Sequence, residues 1–360
     1  MIDGLEDVVA AETVLSDVDG AAGRLVIRGH DLAAVAGKRS CEDLIALLFD
    51  GFFAGLPDAS VLRARLGAAR QEAYDRLAPL LPALADRSLY DGLRAGIALL
   101  PDGASLDDAL RLVAAPAVLL PALMRVRAGQ GPLAPDAGLA HAQDMLRMLS
   151  GTADPAEVAA LETYLVTVCD HGLNASTFAA RVVASTGAGL MSCALAGLGA
   201  LKGPLHGGAP GPVIEMLDAI AAHGDARAWL TARVEVGERI MGFGHRIYRV
   251  RDPRADALKA AVRRLAGATG GARLRFAEQV EQEALAVLKA LKPHRTLQTN
   301  VEFYTALLLE AIGFPPEAFT GLFAAGRMVG WLAHAREQAM TGRLIRPKSR
   351  YVGPQVDLAA

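Results

Sequence analysis

Cysteine is almost absent: Cys41, Cys169 and Cys193 are the only three in 360 residues, far apart and without CxxC spacing. That pattern argues against a disulfide framework and against a zinc site, so a reduced, cytoplasmic compartment is expected. An excess of charge of one sign is lacking too. With 37 Lys and Arg against 39 Asp and Glu, no global field favours nucleic acid, an anionic membrane or an acidic polymer, and any anion site has to be local. The opening MIDGLEDVVAAETVL is acidic and has no basic residue, unlike a secretory signal or an Arg-rich transit peptide. The longest apolar run, LVAAPAVLLPALM at 112–124, is interrupted by two prolines and falls short of the roughly 20 residues a membrane helix needs. A buried helix pair is expected there. Also missing are GxGxxG, the P-loop pattern, HExxH and GxSxG, which removes the usual support for dinucleotide, phosphoryl-transfer and serine-hydrolase readings.

What is present is alanine, leucine and helical spacing, with few β-branched runs. The chain therefore reads as mostly helical, with RLVI at 24–27 the one expected short strand. Helices are expected where Val213, Met216, Leu217 and Ile220 share a face, where Ala284, Leu285, Leu288 and Leu291 do, and where Val301, Tyr304, Leu308 and Ala311 do. Glycine and proline cluster at 128–138, 203–212 and 313–321. The length suggests about two domains. Reading the last two clusters as crossings gives a larger domain of residues 1–207 and 313–360 and a smaller one, 208–312, inserted into it.

Several stretches could carry chemistry. In GPLHGGAP, His206 lies just before a helical run, where helix N-terminal N–H groups would depress its pKa and keep the imidazole neutral. A neutral imidazole can donate a hydrogen bond to a developing enolate, and the flanking glycines would let a substrate approach; an ordinary Gly/Pro loop is the bland alternative. In GFGHRIYRVRDPRAD, His245 is followed by Arg246, Arg249, Arg251 and Arg254, four guanidiniums in nine residues. Arg suits carboxylate and phosphate because its fork binds in pairs, so a small acidic ligand is implied, against a solvated basic face. HGLNASTF holds His171 with Asn174 and Ser176, either of which could cap a following helix. Glu302 opens the otherwise apolar helix NVEFYTALLLEA, as a general base or simply as a residue the helix dipole favours. Arg327 lies in an apolar run, costly unless an anion pairs with it. Arg346 lies in RLIRPKSRYVGP.

Taken together, these stretches resemble the citrate synthase family over nearly the whole chain. The resemblance implies an almost all-helical (all-α), two-domain homodimer that condenses acetyl-CoA with oxaloacetate, without metal or redox cofactor. It casts His206 as the residue that stabilises the acetyl-CoA enol, His245 as the one that polarises the keto group, and Glu302 as the base. His171, Arg254 and Arg327 become oxaloacetate ligands, Arg346 a residue reaching the neighbouring subunit's site, and Arg249 a contact for CoA phosphates. Three departures stand out: Glu302 replaces the usual aspartate, Pro210 the asparagine that follows HGGA, and His30 a residue that is often tyrosine. Propionyl-CoA as donor, giving 2-methylcitrate, is the alternative substrate. A catalytically weak paralogue that binds CoA or oxaloacetate is the alternative function, and nucleic-acid binding a remote third.

Overall fold

A computed structural model of the chain describes residues 4–5, 8–207, 211–269 and 271–354. Among the described residues, strand is confined to an antiparallel meander of β1 (Ser16–Asp19), β2 (Arg24–Ile27) and β3 (His30–Asp31), with Ser16 opposite Ile27 and Ile27 opposite His30. The expected strand at 24–27 is its centre, and its alternation buries Leu25 and Ile27. Arg28 and Gly29 both take positive φ, 47° and 80°, the two-residue turn that matches strand twist.

The other regular elements are helical: α1 (Leu32–Val35), α2 (Cys41–Phe49), α3 (Ala59–Leu77), α4 (Leu81–Ala85), α5 (Leu89–Ile97), α6 (Leu106–Arg127), α7 (His141–Ser150), α8 (Pro155–Val168), α9 (Ala175–Ala184), α10 (Leu190–Leu201), α11 (Gly211–His223), α12 (Ala226–Glu235), α13 (Pro253–Thr269), α14 (Ala272–Leu291), α15 (Val301–Ala311) and α16 (Phe319–Thr341). The fold is all-α, as expected. α11 buries the predicted face. α14 buries Ala284 and Leu288 as predicted, but its stripe runs through Val280 and Val287, and Leu291 is exposed. α15 is buried nearly all round from Val301 to Leu309, so its periodicity reports little.

The helix pair expected at 112–124 is one helix. α6 runs unbroken through Pro116 and Pro121. Each proline forfeits one backbone hydrogen bond, a cost of about 3 kcal/mol. The apolar burial of a helix enclosed by α3, α5, α7 and α16 outweighs it. A Ser105–Asp108 capping box starts it. α6 is long and apolar enough to cross a membrane, yet 78% of that apolar window is buried inside the protein.

α16 is the second central rod, packed on α6, α8, α9 and α10. Two glycines let it come close: a Cβ on Gly326 would strike Val168, and one on Gly330 would strike the Cys169 carbonyl. That approach buries a polar chain of side chains. His334 Nε2 lies 3.1 Å from Asp170, His334 Nδ1 lies 2.9 Å from Arg181, and Arg181 also pairs with Glu337. Glu337 in turn accepts the Val14 N–H at 2.9 Å, joining residues far apart in the chain. α13 packs on both α8 and α15, and α12 on α14.

Candidate active site

Four segments meet at one place: residues 171–176 leading into α9, the turn at 203–207 after α10, the loop 242–254, and the start of α15, with α16 behind them. His171 is buried among them. Its ring lies edge-on to His245 at 5.6 Å between centroids, and its Nε2 is 3.2 Å from the Tyr248 hydroxyl. Burial first, then the charges of Arg254 and Arg327, push its pKa well below the ordinary histidine value. Asn174 caps α9, accepting from the Ser176 and Thr177 N–H groups. The capping reading of that stretch therefore holds, and the cap also orients Ser176.

Ser176 is the hydrogen-bond partner of His206. Its hydroxyl lies 2.8 Å from His206 Nε2 and accepts from the Trp331 indole at 3.1 Å. It also donates to Asn174 Oδ1 at 2.8 Å, which receives two backbone N–H groups as well. The hydroxyl's one proton is thus shared between Asn174 Oδ1 and His206 Nε2, and when it turns to Nε2 the imidazole proton sits on Nδ1. Burial, and then Arg327, lower the His206 pKa to about 4. The cause differs from the one read from the sequence: burial beside a guanidinium, not a helix N-terminus, keeps the ring neutral. Gly207 serves packing, because a Cβ there would strike Leu201; Gly208 lies outside the described residues.

His245 is oriented by the main chain. Its Nδ1 accepts the N–H groups of Ile247 and Tyr248 at 3.0 and 3.1 Å, so the proton of the neutral ring sits on Nε2. That Nε2 lies 3.2 Å from Arg254 Nη2, and burial followed by Arg254 brings the His245 pKa down to about 4. Two donors thus converge where a carbonyl or carboxylate oxygen could accept from both. Arg254 is fixed by Asp252, through Nε at 3.1 Å and Nη2 at 2.8 Å. Asp252 also accepts the Val301 N–H at the start of α15, at 3.1 Å. Burial works against the Arg254 charge, but Asp252 outweighs it and raises the pKa.

Arg327 is differently placed. It is 1% exposed, stacks on Phe323 at 4.9 Å, and its one hydrogen bond among the described residues runs from Nε to the Val168 carbonyl at 2.6 Å. Burial above all brings its pKa down to about 10. Such a cation is costly until an anion joins it. Glu302, in the first turn of α15, is held by Asn300, whose Nδ2 lies 3.5 Å from Oε2. Burial raises its pKa against the pull of Arg254 and Asn300, as suits a base working near neutrality.

His171, His206, His245, Arg254, Arg327 and Glu302 are therefore gathered. Two expected residues are not. Arg249 has an exposed side chain, and among the described residues only its N–H is engaged, by the Gly20 carbonyl at 2.8 Å. Arg346 is exposed in the segment that follows α16. The four-arginine anion site is also narrower than its spacing suggested: Arg251 is paired with Asp256 and Glu281 and Arg254 with Asp252, while Arg246 and Arg249 are exposed. Sequence reasoning missed Tyr248, Phe323, Trp331 and Asn300. Asn300 alone had a signal, as a cap residue before an apolar helix. No group of three or more His, Cys, Asp or Glu among the described residues could hold a metal ion.

The family model for the citrate synthase C-terminal domain matches residues 4–348. The citrate synthase of Haloferax volcanii is 36% identical, over 97% of this chain and 95% of its own. This chain belongs to the citrate synthase family. By that membership it is an acyltransferase that condenses an acyl-CoA with oxaloacetate. The 2-methylcitrate synthase of Mycobacterium tuberculosis is also 36% identical, over 97% of this chain and 90% of its own. The citrate synthase of Thermoplasma acidophilum, solved as a ternary complex with carboxymethyl coenzyme A and oxaloacetate, matches with a TM-score of 0.86 at 28% identity, covering 98% of this chain and 96% of its own. Of the departures from the citrate synthase pattern, Glu302 lies in the cluster, His30 pairs with Ile27 in β3, and Pro210 lies outside the described residues.

Proposed function

We propose that this chain condenses acetyl-CoA with oxaloacetate and releases citrate and CoA, using its side chains alone. The observation that carries the proposal is the juxtaposition of three neutral histidines, two buried arginines and one half-buried carboxyl of raised pKa. In this reading Glu302 takes a proton from the acyl methyl while His206 Nδ1–H donates to the enolate oxygen. The new carbon–carbon bond forms at the keto carbon of oxaloacetate, whose oxygen accepts from His245 Nε2–H. Arg254, Arg327 and His171 hold the keto acid, two carboxylates against two guanidiniums. Water then cleaves the thioester of the condensed product, giving citrate and CoA. The exposed Arg249 is assigned to CoA phosphates.

Propionyl-CoA is the second donor to test, supported by the 2-methylcitrate synthase relative. One methylene is worth only about 1–3 kcal/mol of discrimination. We also infer a homodimer. Phe178 and Val182 on α9 and Met191 and Leu195 on α10 are half-buried apolar side chains on two helices packed together, a face suited to a second copy. The Ile345 N–H donates to Ser185 at the end of α9, at 3.0 Å, which sets Arg346 beside that face. The test is CoA release by purified protein given oxaloacetate with either acyl-CoA. Release with acetyl-CoA at the higher kcat/KM supports the reading, and preference for propionyl-CoA moves it to 2-methylcitrate. Oxaloacetate binding without release from either donor would make the chain a binding paralogue.

A further inference from the structure

Glu281 belongs to none of the motifs above, yet it is buried on α14 and receives four donors from three other parts of the chain. Arg251 Nη1 reaches it at 2.8 Å, Lys259 Nζ at 2.7 Å, Thr299 Oγ1 at 2.7 Å and the Tyr304 hydroxyl at 2.6 Å. Burial alone would raise its pKa, but these donors hold it down at about 2, so it is a carboxylate at every working pH.

Thr299 is where that carboxylate meets the site. The residue is 1% exposed and forms an isolated antiparallel bridge with Phe243. Around the bridge, the Gly244 N–H donates to the Gln298 carbonyl at 2.7 Å and the Asn300 N–H to the Gly242 carbonyl at 2.9 Å. Asn300 Nδ2 donates to the Gly244 carbonyl at 2.8 Å. His245 follows Phe243 by two residues, and Glu302 follows Thr299 by three. Arg251, the other residue Glu281 grips at this point, is three residues before Arg254.

We propose that Glu281, acting through Thr299 and Arg251, is a positioning residue that fixes the segment bearing Glu302 against the loop bearing His245 and Arg254. It touches no reacting atom. The proposal rests on the functional reading above, since it matters to turnover only if Glu302 and His245 act on two substrates that must meet. Geometry of this kind is where rate is sensitive: a displacement of roughly 1 Å can cost about 10²-fold. His245 and Arg254 share the 242–254 loop and move together, while His171 and Arg327 are held by contacts that do not involve Glu281 or Thr299, so the hold on oxaloacetate is spared.

The test compares Thr299→Val, which removes the hydroxyl at nearly constant shape, with Thr299→Ser, which keeps it, and with Glu281→Gln. Amide hydrogen exchange reads the clamp directly. The Gly244 and Asn300 N–H groups are expected to exchange about tenfold faster in Thr299→Val and Glu281→Gln, with α8 unchanged and Thr299→Ser like wild type. In kinetics, kcat is expected to fall between about 10- and 100-fold in the first and last variants, with the oxaloacetate KM within about threefold of wild type. Unchanged exchange at both amides, or a loss shared equally by Thr299→Ser, overturns the proposal. So does a rise of oxaloacetate KM in step with the fall of kcat. If wild type releases no CoA, the functional reading fails, while the exchange experiment still decides the clamp.

Discussion

Glu302 carries one more methylene than the aspartate the family resemblance leads one to expect, and it is held through Asn300 at 3.5 Å. The segment before it is tied down at Gln298 and Asn300, so a shortened side chain cannot be followed by its backbone. Glu302→Asp should therefore lower kcat by about 10²-fold. Glu302→Gln, which keeps size and removes basicity, should lower it by about 10²–10⁴-fold. CoA release under saturating oxaloacetate measures both; a Gln variant at the wild-type rate removes Glu302 from the role of base. Ser176→Ala tests the tautomer. If the Ser176 hydroxyl holds the His206 proton on Nδ1, its removal should slow solvent exchange at the acetyl methyl about tenfold or more while oxaloacetate binding stays unchanged; exchange at the wild-type rate removes Ser176 from that role. The pH profile follows from the same residues. His206 and His245 have pKa values near 4 and Glu302 is raised from its ordinary value, so neither ring should contribute an inflection at the free-histidine value of about 6.5 to kcat/KM. Its acid limb should reflect the carboxyl; an inflection at about 6.5 that persists in Glu302→Gln would contradict neutral rings.

At the scale of elements, the legible parts were those whose physics is local. The strand at 24–27, the face of α11 and the glycine that ends α15 are written in neighbouring residues, and so was the Asn174 cap. α6 was misread because proline is a strong local breaker, and only the surrounding helices supply the burial that overrides it. The site was legible as a set of residue types, because His171, His206, His245 and the arginines sit in unusual glycine-rich or apolar settings. It was not legible as a geometry. That Asp252 grips Arg254 while accepting the Val301 N–H depends on a contact 49 residues apart in sequence, which no spacing rule contains. Helix α16 offers the test at this scale. Gly330→Ala would drive a methyl into the Cys169 carbonyl, pushing the helix off α8. A loss of about 1–3 kcal/mol is expected, read by denaturant unfolding, and full stability would mean that α16 has room the packing denies.

For the whole molecule, the buried neutral histidines link stability to pH. His141, His206 and His245 titrate near 3, 4 and 4 in the folded chain, against about 6.5 when unfolded. Between those values the unfolded chain binds more protons, so stability rises with pH and is lost as pH falls from about 6.5 towards 4. Unfolding free energies at pH 7 and pH 5 should show the drop, and equal values would place these rings in water. Assembly is open to a complementation test. Chains carrying Arg346→Ala and chains carrying His206→Ala, each inactive alone, should regain activity in verified heterodimers if Arg346 completes its partner's site. No recovery would return Arg346 to its own surface.

The bond from the Val14 N–H to Glu337 spans 323 residues, and it has a consequence in time. At roughly 5–20 residues per second of synthesis, Val14 waits on the order of 15–65 seconds for the carboxylate that accepts its proton. In the second half of that interval, once residue 168 has been added, α6 and α8 exist without the helix that covers them, and Arg327, Trp331 and His334 have yet to be made. A ribosome-bound chain stalled before α16 would present those apolar faces to its neighbours, which makes aggregation during synthesis, more than unfolding afterwards, the exposed moment in the life of this protein.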